Sequence, residues 1–373
     1  RPVLLAARNA HKALLYAAAL LDFDIRWLWP SAQAEGALCS CPVTAEALTG
    51  ALHALAQQGI EPFGVYVTSP DYLGGVQDIP ALAAVCRAQG VPLLVDNAHG
   101  AYLRFLPQNC HPIAQGAAMC CDSAHKTLPV VTGGAYLHLA HDAPVQDEAA
   151  VRGALALFGS TSPSYLILQS LDACNAVLAG DYPRRLEQCC AALEGLRRSL
   201  NKAAAARQCP VPLAVAGAQQ EPMKLTLDAA ALGCTGTALA ESLRRAQMEC
   251  EYADPRYVVL MFTPENPPQD YTRLQTALEQ LLAAVPAGLP RPENRAGEFA
   301  ALQQQAVQRC TIRQAVLGAQ VRIPVHKALG RVCAMPTVSC PPAIPVAVSG
   351  EEITPAAIAL MQRYGIEKLS VLR

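Results

Sequence analysis

The chain has 373 residues, a length that suits roughly two domains. Its 29 Lys and Arg balance 30 Asp and Glu, which argues against a nucleic-acid binder that works by neutralising phosphates. With 52% hydrophobic and 16% charged residues it has ample surface to bury and is not a disordered chain.

In chain order, Pro2 to Ala6 reads as a short strand, Asn9 to Leu21 as a helix and Ile25 to Trp29 as a second strand. Thr44 to Gln58 has apolar residues at helical spacing. Gly64 to Thr68 is a strand ending in the turn signal Ser69-Pro70. Ile79 to Gln89 is helical again, and Val91 to Val95 is a run of the kind buried on both faces of a parallel sheet. Ala117 to Cys121 and Gly134 to Leu139 add two short strands. This alternation predicts an α/β domain with a mostly parallel sheet. A long charged helix from about Gly180 to Ala206 follows, then a strand at Met223 to Leu227, a helix at Thr237 to Gln247, a strand at Tyr257 to Phe262 and a helix at Tyr271 to Ala284. Together they predict a smaller α+β unit. Pro286 to Arg295 reads as a linker, and the tail adds helices near Thr311 to Leu317 and Thr354 to Tyr364 around a Pro-rich stretch, Pro341 to Pro345. The expected division is 1–205 and 206–373.

No stretch of about 18 residues is purely apolar, so no membrane span is expected, and no signal peptide is visible. The 15 cysteines include no C-x-x-C pair, so no metal site is expected from them. Free, mostly buried thiols in a reducing cytoplasm fit better than a disulfide framework.

Two segments carry chemistry. In V-D-N-A-H-G-A-Y, Val95 to Tyr102, an acid stands at the exit of a buried strand, where ligands of open α/β sheets bind. Asp96 reads equally well as a cap for the next helix. In D-S-A-H-K-T, Asp122 to Thr127, one lysine stands in an uncharged neighbourhood, with no Asp, Glu, Lys or Arg from Leu128 to His141. Such surroundings favour a nucleophilic amine able to form a Schiff base, although a lysine snorkelling from a loop is the plainer reading. Together the segments are more specific, because pyridoxal phosphate chemistry needs a lysine for the imine and an acid on the pyridine nitrogen.

The sequence resembles the ornithine/lysine/arginine decarboxylase family of pyridoxal-phosphate enzymes in its shorter bacterial form. The resemblance rests on R-N-A-H-K (Arg8 to Lys12), T-S-P-D-Y-L-G (Thr68 to Gly74), D-N-A-H-G (Asp96 to Gly100), D-S-A-H-K-T-L (Asp122 to Leu128) and S-T-S-P-S-Y (Ser160 to Tyr165). S-L-D (Ser170 to Asp172), A-L-G-R (Ala328 to Arg331), C-P-P-A-I-P (Cys340 to Pro345) and S-G-E-E-I-T (Ser349 to Thr354) extend it through the tail. It implies the aspartate aminotransferase-like fold, fold type I, and decarboxylation of arginine, lysine or ornithine. It further implies that Lys126 is the Schiff-base lysine, that Asp96 lies on the pyridine nitrogen and that His11 stacks on the cofactor ring. Ala98 would pack on the other ring face, Ser123 and His125 would flank the phosphate, and His99 would lie near the pocket. Thr161 and Ser162 would approach the site across a dimer interface. Implied partners are a small amino-acid substrate and a second copy of the chain, or an assembly of such dimers, with no nucleic acid and no membrane.

The sequence departs from the family at Ala13, Asn97, Cys340, Ala343 and Ser349. The family's small-residue phosphate loop, which binds at a helix N-terminus, is expected upstream of Arg1. Other reactions on the same scaffold, an aminotransferase or a lyase, and a truncated non-catalytic homologue are the alternatives. Asp71, Glu251 and Asp254 could meet a basic substrate side chain, and read equally as surface acids.

Overall fold

The computed structural model describes residues 1–30, 39–213, 220–286, 298–335 and 345–373. A six-stranded sheet forms from β1 (Val3–Ala7), β2 (Asp24–Leu28), β3 (Gly64–Thr68), β4 (Leu93–Asp96), β5 (Met119–Asp122) and β6 (Tyr136–Leu139). Its spatial order is β2-β1-β3-β4-β5-β6, parallel throughout except for β6, which runs antiparallel to β5. Helices α1 (Lys12–Leu21), α2 (Ala45–Gln57) and α3 (Ile79–Ala88) make the crossovers.

Side chains alternate across a strand, and the core divides accordingly. Leu5, Ala7, Val65, Val67, Val95 and Cys120 share one cluster with Leu48, Leu52 and Leu82 of α2 and α3. Leu4 and Ala6 join Leu15 and Ala18 of α1 on the other face. Thr44 and Asp78 cap α2 and α3 by accepting the Ala47 and Ala81 amides, which fixes where those crossovers begin.

After β5 comes the single-turn helix α4 (Ala124–Thr127). Beyond β6 lie α5 (Glu148–Phe158) and α6 (Tyr165–Ala179), two helices that the sequence pattern did not single out. The long charged helix is α7 (Tyr182–Ala206). It buries Tyr182, Leu186, Cys189, Leu193, Leu196, Leu200 and Ala204, a stripe at helical spacing. Against it pack α9 (Pro268–Ala284) and a three-stranded antiparallel sheet of β7 (Lys224–Asp228), β9 (Tyr257–Met261) and β8 (Tyr252–Ala253), with α8 (Gly236–Arg245) following β7.

The tail behaves differently. Its α10 (Glu298–Gln305), α11 (Ile312–Leu317), β10 (Gln320–Pro324), α12 (Pro355–Arg363) and β11 (Lys368–Leu372) do not extend the small sheet. Phe299, Leu302, Val325, Leu360, Met361 and Val371 bury into the cluster of the first sheet, and Ile312 packs beside Leu15. Arg8, fully buried, forms a bidentate pair with Glu351 at 2.7 and 2.8 Å. Its guanidinium lies 4.9 and 4.5 Å from the ring centres of Trp27 and Trp29. Most buried side chains of 224–285 thus pack with α7, while Tyr252, Tyr257 and Val259 join the first-sheet cluster, and the buried side chains of the tail pack with residues 1–122. The boundary at 205 stays an expectation. The expected linker and the Pro-rich stretch fall largely outside the described residues, as do Cys340 and Ala343.

Candidate active site

The carboxyl ends of β1, β3, β4 and β5 form one rim, and the candidate residues project from it. Asp96 closes β4 and is buried. Its Oδ2 accepts from the Tyr66 hydroxyl at 3.0 Å and its Oδ1 from the Ala98 amide at 3.1 Å. Burial, with the Asp96 charge beside it, pushes the Tyr66 phenol well above its ordinary pKa, so that hydroxyl stays a donor. Asp96 therefore does bond a following amide, as the capping reading has it, while its other oxygen faces a phenol.

Lys126 stands on α4, directly after β5, half-buried. Its Nζ is 3.2 Å from His99 Nε2. Burial first, then the charges of Lys224 and Lys126, hold the His99 imidazole well below its ordinary pKa, so the ring is neutral near pH 7. When the Lys126 ammonium donates to Nε2, the ring proton sits on Nδ1. That nitrogen is buried with no hydrogen-bond partner among the described residues.

His11 caps α1, its Nδ1 accepting the Ala13 amide at 3.2 Å. Its pKa is lowered by burial first, raised in part by Asp96 and lowered further by Lys126 and Lys12. Asp96 and Lys126 thus both bear electrostatically on His11. His125 donates from Nδ1 to the Gly134 carbonyl at 2.9 Å, which leaves Nε2 as the acceptor in the neutral ring. Ser123 precedes α4 without capping it. Ala98 is half-buried after β4. Thr161 and Ser162 lie in the turn between α5 and α6.

Five of the eight buried side-chain atoms that lack a partner among the described residues lie at this rim. They are Asn9 Oδ1, Thr68 Oγ1, Asn97 Oδ1, His99 Nδ1 and Thr127 Oγ1. Buried polar groups are normally hydrogen-bonded, so their concentration at the strand ends suits a polar ligand there. Pyridoxal phosphate, with a phosphate, a phenolic oxygen and a pyridine nitrogen, is chemically of that kind.

Sequence reasoning missed Lys224. It is fully buried in β7, with Nζ donating to the Asp71 carbonyl at 2.9 Å, 3.8 Å from Glu221 Oε1 and 5.6 Å from the centre of the Tyr72 ring. Glu221 is held in turn by the Tyr102 hydroxyl and the Met223 amide. Gly74, at φ +92°, allows this approach, because a side chain there would begin 3.3 Å from Lys224 Cβ. A lysine amid the apolar alternation of K-L-T-L-D was the available signal. Tyr72 packs edge-on to His99 at 4.9 Å and donates to Glu251 Oε1 at 2.6 Å.

Two acids read as surface groups are buried instead. Asp71 accepts the Gly75 amide at 2.8 Å, and Asp254 accepts the Arg256 and Tyr257 amides at 2.7 and 2.6 Å. Both fasten turns. Of the three, Glu251 alone is exposed.

A family model described as "Orn/Lys/Arg decarboxylase, major domain" matches residues 2–219. The chain is 27% identical over 369 residues to an uncharacterized protein, YaaO, of Bacillus subtilis, covering 96% of this chain and 73% of that one. It is 26% identical over 353 residues to an arginine decarboxylase of the same organism, covering 93% and 70%. Among solved structures, the constitutive lysine decarboxylase of E. coli superposes with a TM-score of 0.74 at 19% identity, over 100% of this chain and 67% of that one. The Francisella novicida lysine decarboxylase LdcF gives 0.75 at 18%, over 100% and 66%. At such identities the structures establish the fold, which is fold type I.

Proposed function

The chain belongs to the Orn/Lys/Arg decarboxylase family of pyridoxal-phosphate-dependent decarboxylases, and from that premise we propose that it removes the α-carboxylate of arginine, lysine or ornithine at the rim around Lys126. The observation that carries the reading is the pairing of Lys126 Nζ with a neutral, buried His99 at 3.2 Å, beside an Asp96 whose charge bears on His11.

Bound pyridoxal phosphate supplies an electron sink for the pair left behind as the carboxylate departs. Lys126 would hold the cofactor through its amine, and Asp96 would keep a proton on the pyridine nitrogen. Tyr66 and the Ala98 amide fix the Asp96 carboxylate for that task. His11 would cover one face of the ring, with Ala98 leaving room on the other. Ser123 and His125 would bind the phosphate. His99 keeps the Lys126 amine within proton-exchange distance of a neutral imidazole, so a proton can move between Nζ and Nε2. Glu251, tied through Tyr72 to His99, is the acid we assign to the cationic end of the substrate side chain.

Borohydride reduction of the cofactor-loaded protein, followed by peptide mapping, is expected to place a pyridoxyl group on Lys126. Carbon dioxide release is expected from at least one of L-arginine, L-lysine and L-ornithine. A label elsewhere removes Lys126 from the site. Amino-group exchange with a keto acid, in place of carbon dioxide release, turns the reading to an aminotransferase.

The chain is proposed to work as a homodimer or as an assembly of dimers. Leu157, Phe158, Tyr165 and Leu166, on α5 and α6, are 62 to 86% exposed. Large exposed apolar side chains gathered in one stretch of chain suit an interface, and these flank the turn that carries Thr161 and Ser162. Sedimentation of wild type against Phe158→Glu/Leu166→Glu checks it, with a dimer expected to become a monomer. Among the described residues no helix is long and apolar enough to cross a membrane, and the fourteen described cysteines are all free. We propose that it acts in the cytoplasm.

A further inference from the structure

Asp96 and Cys121 pair in register across β4 and β5, and the Cys121 thiol lies 3.9 Å from Asp96 Oδ1. Alternation sends the next residue, Asp122, to the opposite face of the sheet. There its Oδ2 is 3.1 Å from His111 Nε2 and 3.0 Å from His138 Nε2, and its Oδ1 accepts from Asn97 Nδ2 at 2.7 Å. His138 arrives on β6, in register with Cys120. The three ligand-type atoms lie within 4.8 Å of one another. They border a cavity of about 570 Å³ whose wall also includes Arg104, Asn109 and Asn175. Asp122 and His111 are buried, while His138 is partly open to that side.

We propose that His111, Asp122 and His138 bind a divalent transition-metal cation of the Zn²⁺ kind, with coordination completed by water from the cavity. Two imidazoles and one carboxylate form a set that suits such ions, whereas Mg²⁺ and Ca²⁺ prefer oxygen ligands throughout. Ligand atoms about 2.1 Å from a tetrahedral metal stand about 3.4 Å apart, a few tenths of an ångström beyond the 3.1 and 3.0 Å from Asp122 Oδ2 to the two imidazole nitrogens, so small side-chain shifts would seat the ion. Asn97 orients the carboxylate from behind, the part outer-shell groups play in metal sites.

A ring whose Nε2 takes the cation carries its remaining proton on Nδ1. At His111 this gives up the Ile113 amide bond to Nδ1, which at 3.4 Å is the longest nitrogen–oxygen or nitrogen–nitrogen bond around the cluster. Cys120 Sγ lies 3.7 Å from His111 Nε2 and 3.8 Å from Asp122 Oδ1. Its sulfur is not part of the set of ligand-type atoms within 4.8 Å of one another, which is His111, Asp122 and His138, so ligation is assigned to nitrogen and oxygen.

The test uses the full chain, stripped with a chelator and titrated with Co²⁺, then with Zn²⁺ as competitor. One equivalent of Co²⁺ is expected, with weak visible bands and no intense thiolate charge-transfer absorption, displaced by Zn²⁺. Zn²⁺ should also raise the melting temperature, because it binds the folded state. His138→Ala, at a partly open edge-strand position where folding should survive, is expected to weaken Co²⁺ binding at least about a hundredfold, the upper end for loss of an outer-shell partner alone. Asp122→Asn should do the same, with far-UV circular dichroism confirming that both variants fold. Unchanged affinity in folded His138→Ala, an intense thiolate band, or no Co²⁺ bound at millimolar concentration overturns the proposal. None of these readouts involves decarboxylation, so the site stands or falls apart from the proposed activity.

Discussion

β4 and β5 are neighbouring parallel strands, and each ends on an aspartate. Asp96 meets donors of modest acidity, a phenol and an amide, on the face that α1 covers. Asp122 meets two imidazoles and a carboxamide on the opposite face. One residue type at one kind of position therefore carries two chemistries, because a one-residue offset in register reverses the face. Beside Asp96 in register stands Thr68, whose Oγ1 has no partner among the described residues, which suits a ligand. Asp122 is saturated by hydrogen bonds, which suits a fixed negative centre.

The sharpest way to break this contrast is to remove the amine that makes the first face reactive. Lys126→Ala is expected to lower turnover roughly a thousandfold or more, as losing a covalent group does elsewhere, measured as carbon dioxide release from the best of the three basic amino acids. Next comes the pair of aspartates. Asp96→Asn keeps shape but lacks the charge, and turnover should fall of order 10²–10³-fold, the loss typical when one electrostatic stabiliser is deleted. Asp122→Asn is read in denaturation: a pKa held at about 2 instead of 3.8 corresponds to about 2 kcal/mol of stability at neutral pH. Urea titrations of the two variants at pH 7 check it, and an equal loss of stability in both would erase the distinction.

Much of the first face was legible in the sequence. D-N-A-H and D-S-A-H-K are local blocks at strand exits, and the structure brings Asp96, His11, His99 and Lys126 to one rim. The second face was not. His111, Asp122 and His138 are gathered by the antiparallel register of β6 on β5, which no spacing reveals. Lys224 reaches the rim from the second sheet by the same kind of long-range contact. The tail was read as part of the small domain because its helices follow it in sequence, yet Phe299, Met361 and Val371 bury in the first core. Burial of Asp71 and Asp254 was hidden too, since their partners are backbone amides of turns.

Acid separates the faces by pH. His99, and more weakly His11, are held below the ordinary histidine pKa by burial. Below about pH 6.5 the unfolded chain therefore takes up protons that the folded chain refuses, and stability falls as pH falls. Asp122 has a depressed folded pKa, so its contribution is present above about pH 3.8 and is lost as pH drops through about 2. Urea midpoints measured from pH 8 to pH 2 should show both declines in wild type. In Asp122→Asn only the upper one should remain.

The smallest expected effect concerns the substrate's far end. Glu251 is exposed, but its Oε1 accepts the Tyr72 hydroxyl at 2.6 Å, and Tyr72 lies against His99. Its charge is thus fixed at the margin of the rim, one aromatic ring away from the paired Lys126. A guanidinium or ammonium on a substrate side chain would meet it after the reacting carbon is seated. Glu251→Gln keeps an acceptor for Tyr72 but removes the charge. An interaction made equally in ground and transition states alters KM and not kcat, so KM should rise roughly tenfold with kcat nearly constant, a modest change because the group is partly solvated. Raising ionic strength should weaken wild-type binding toward that of the variant. If kcat falls with KM unchanged, Glu251 acts through Tyr72 and His99 on the reacting end, and the recognition of the cationic side chain lies elsewhere.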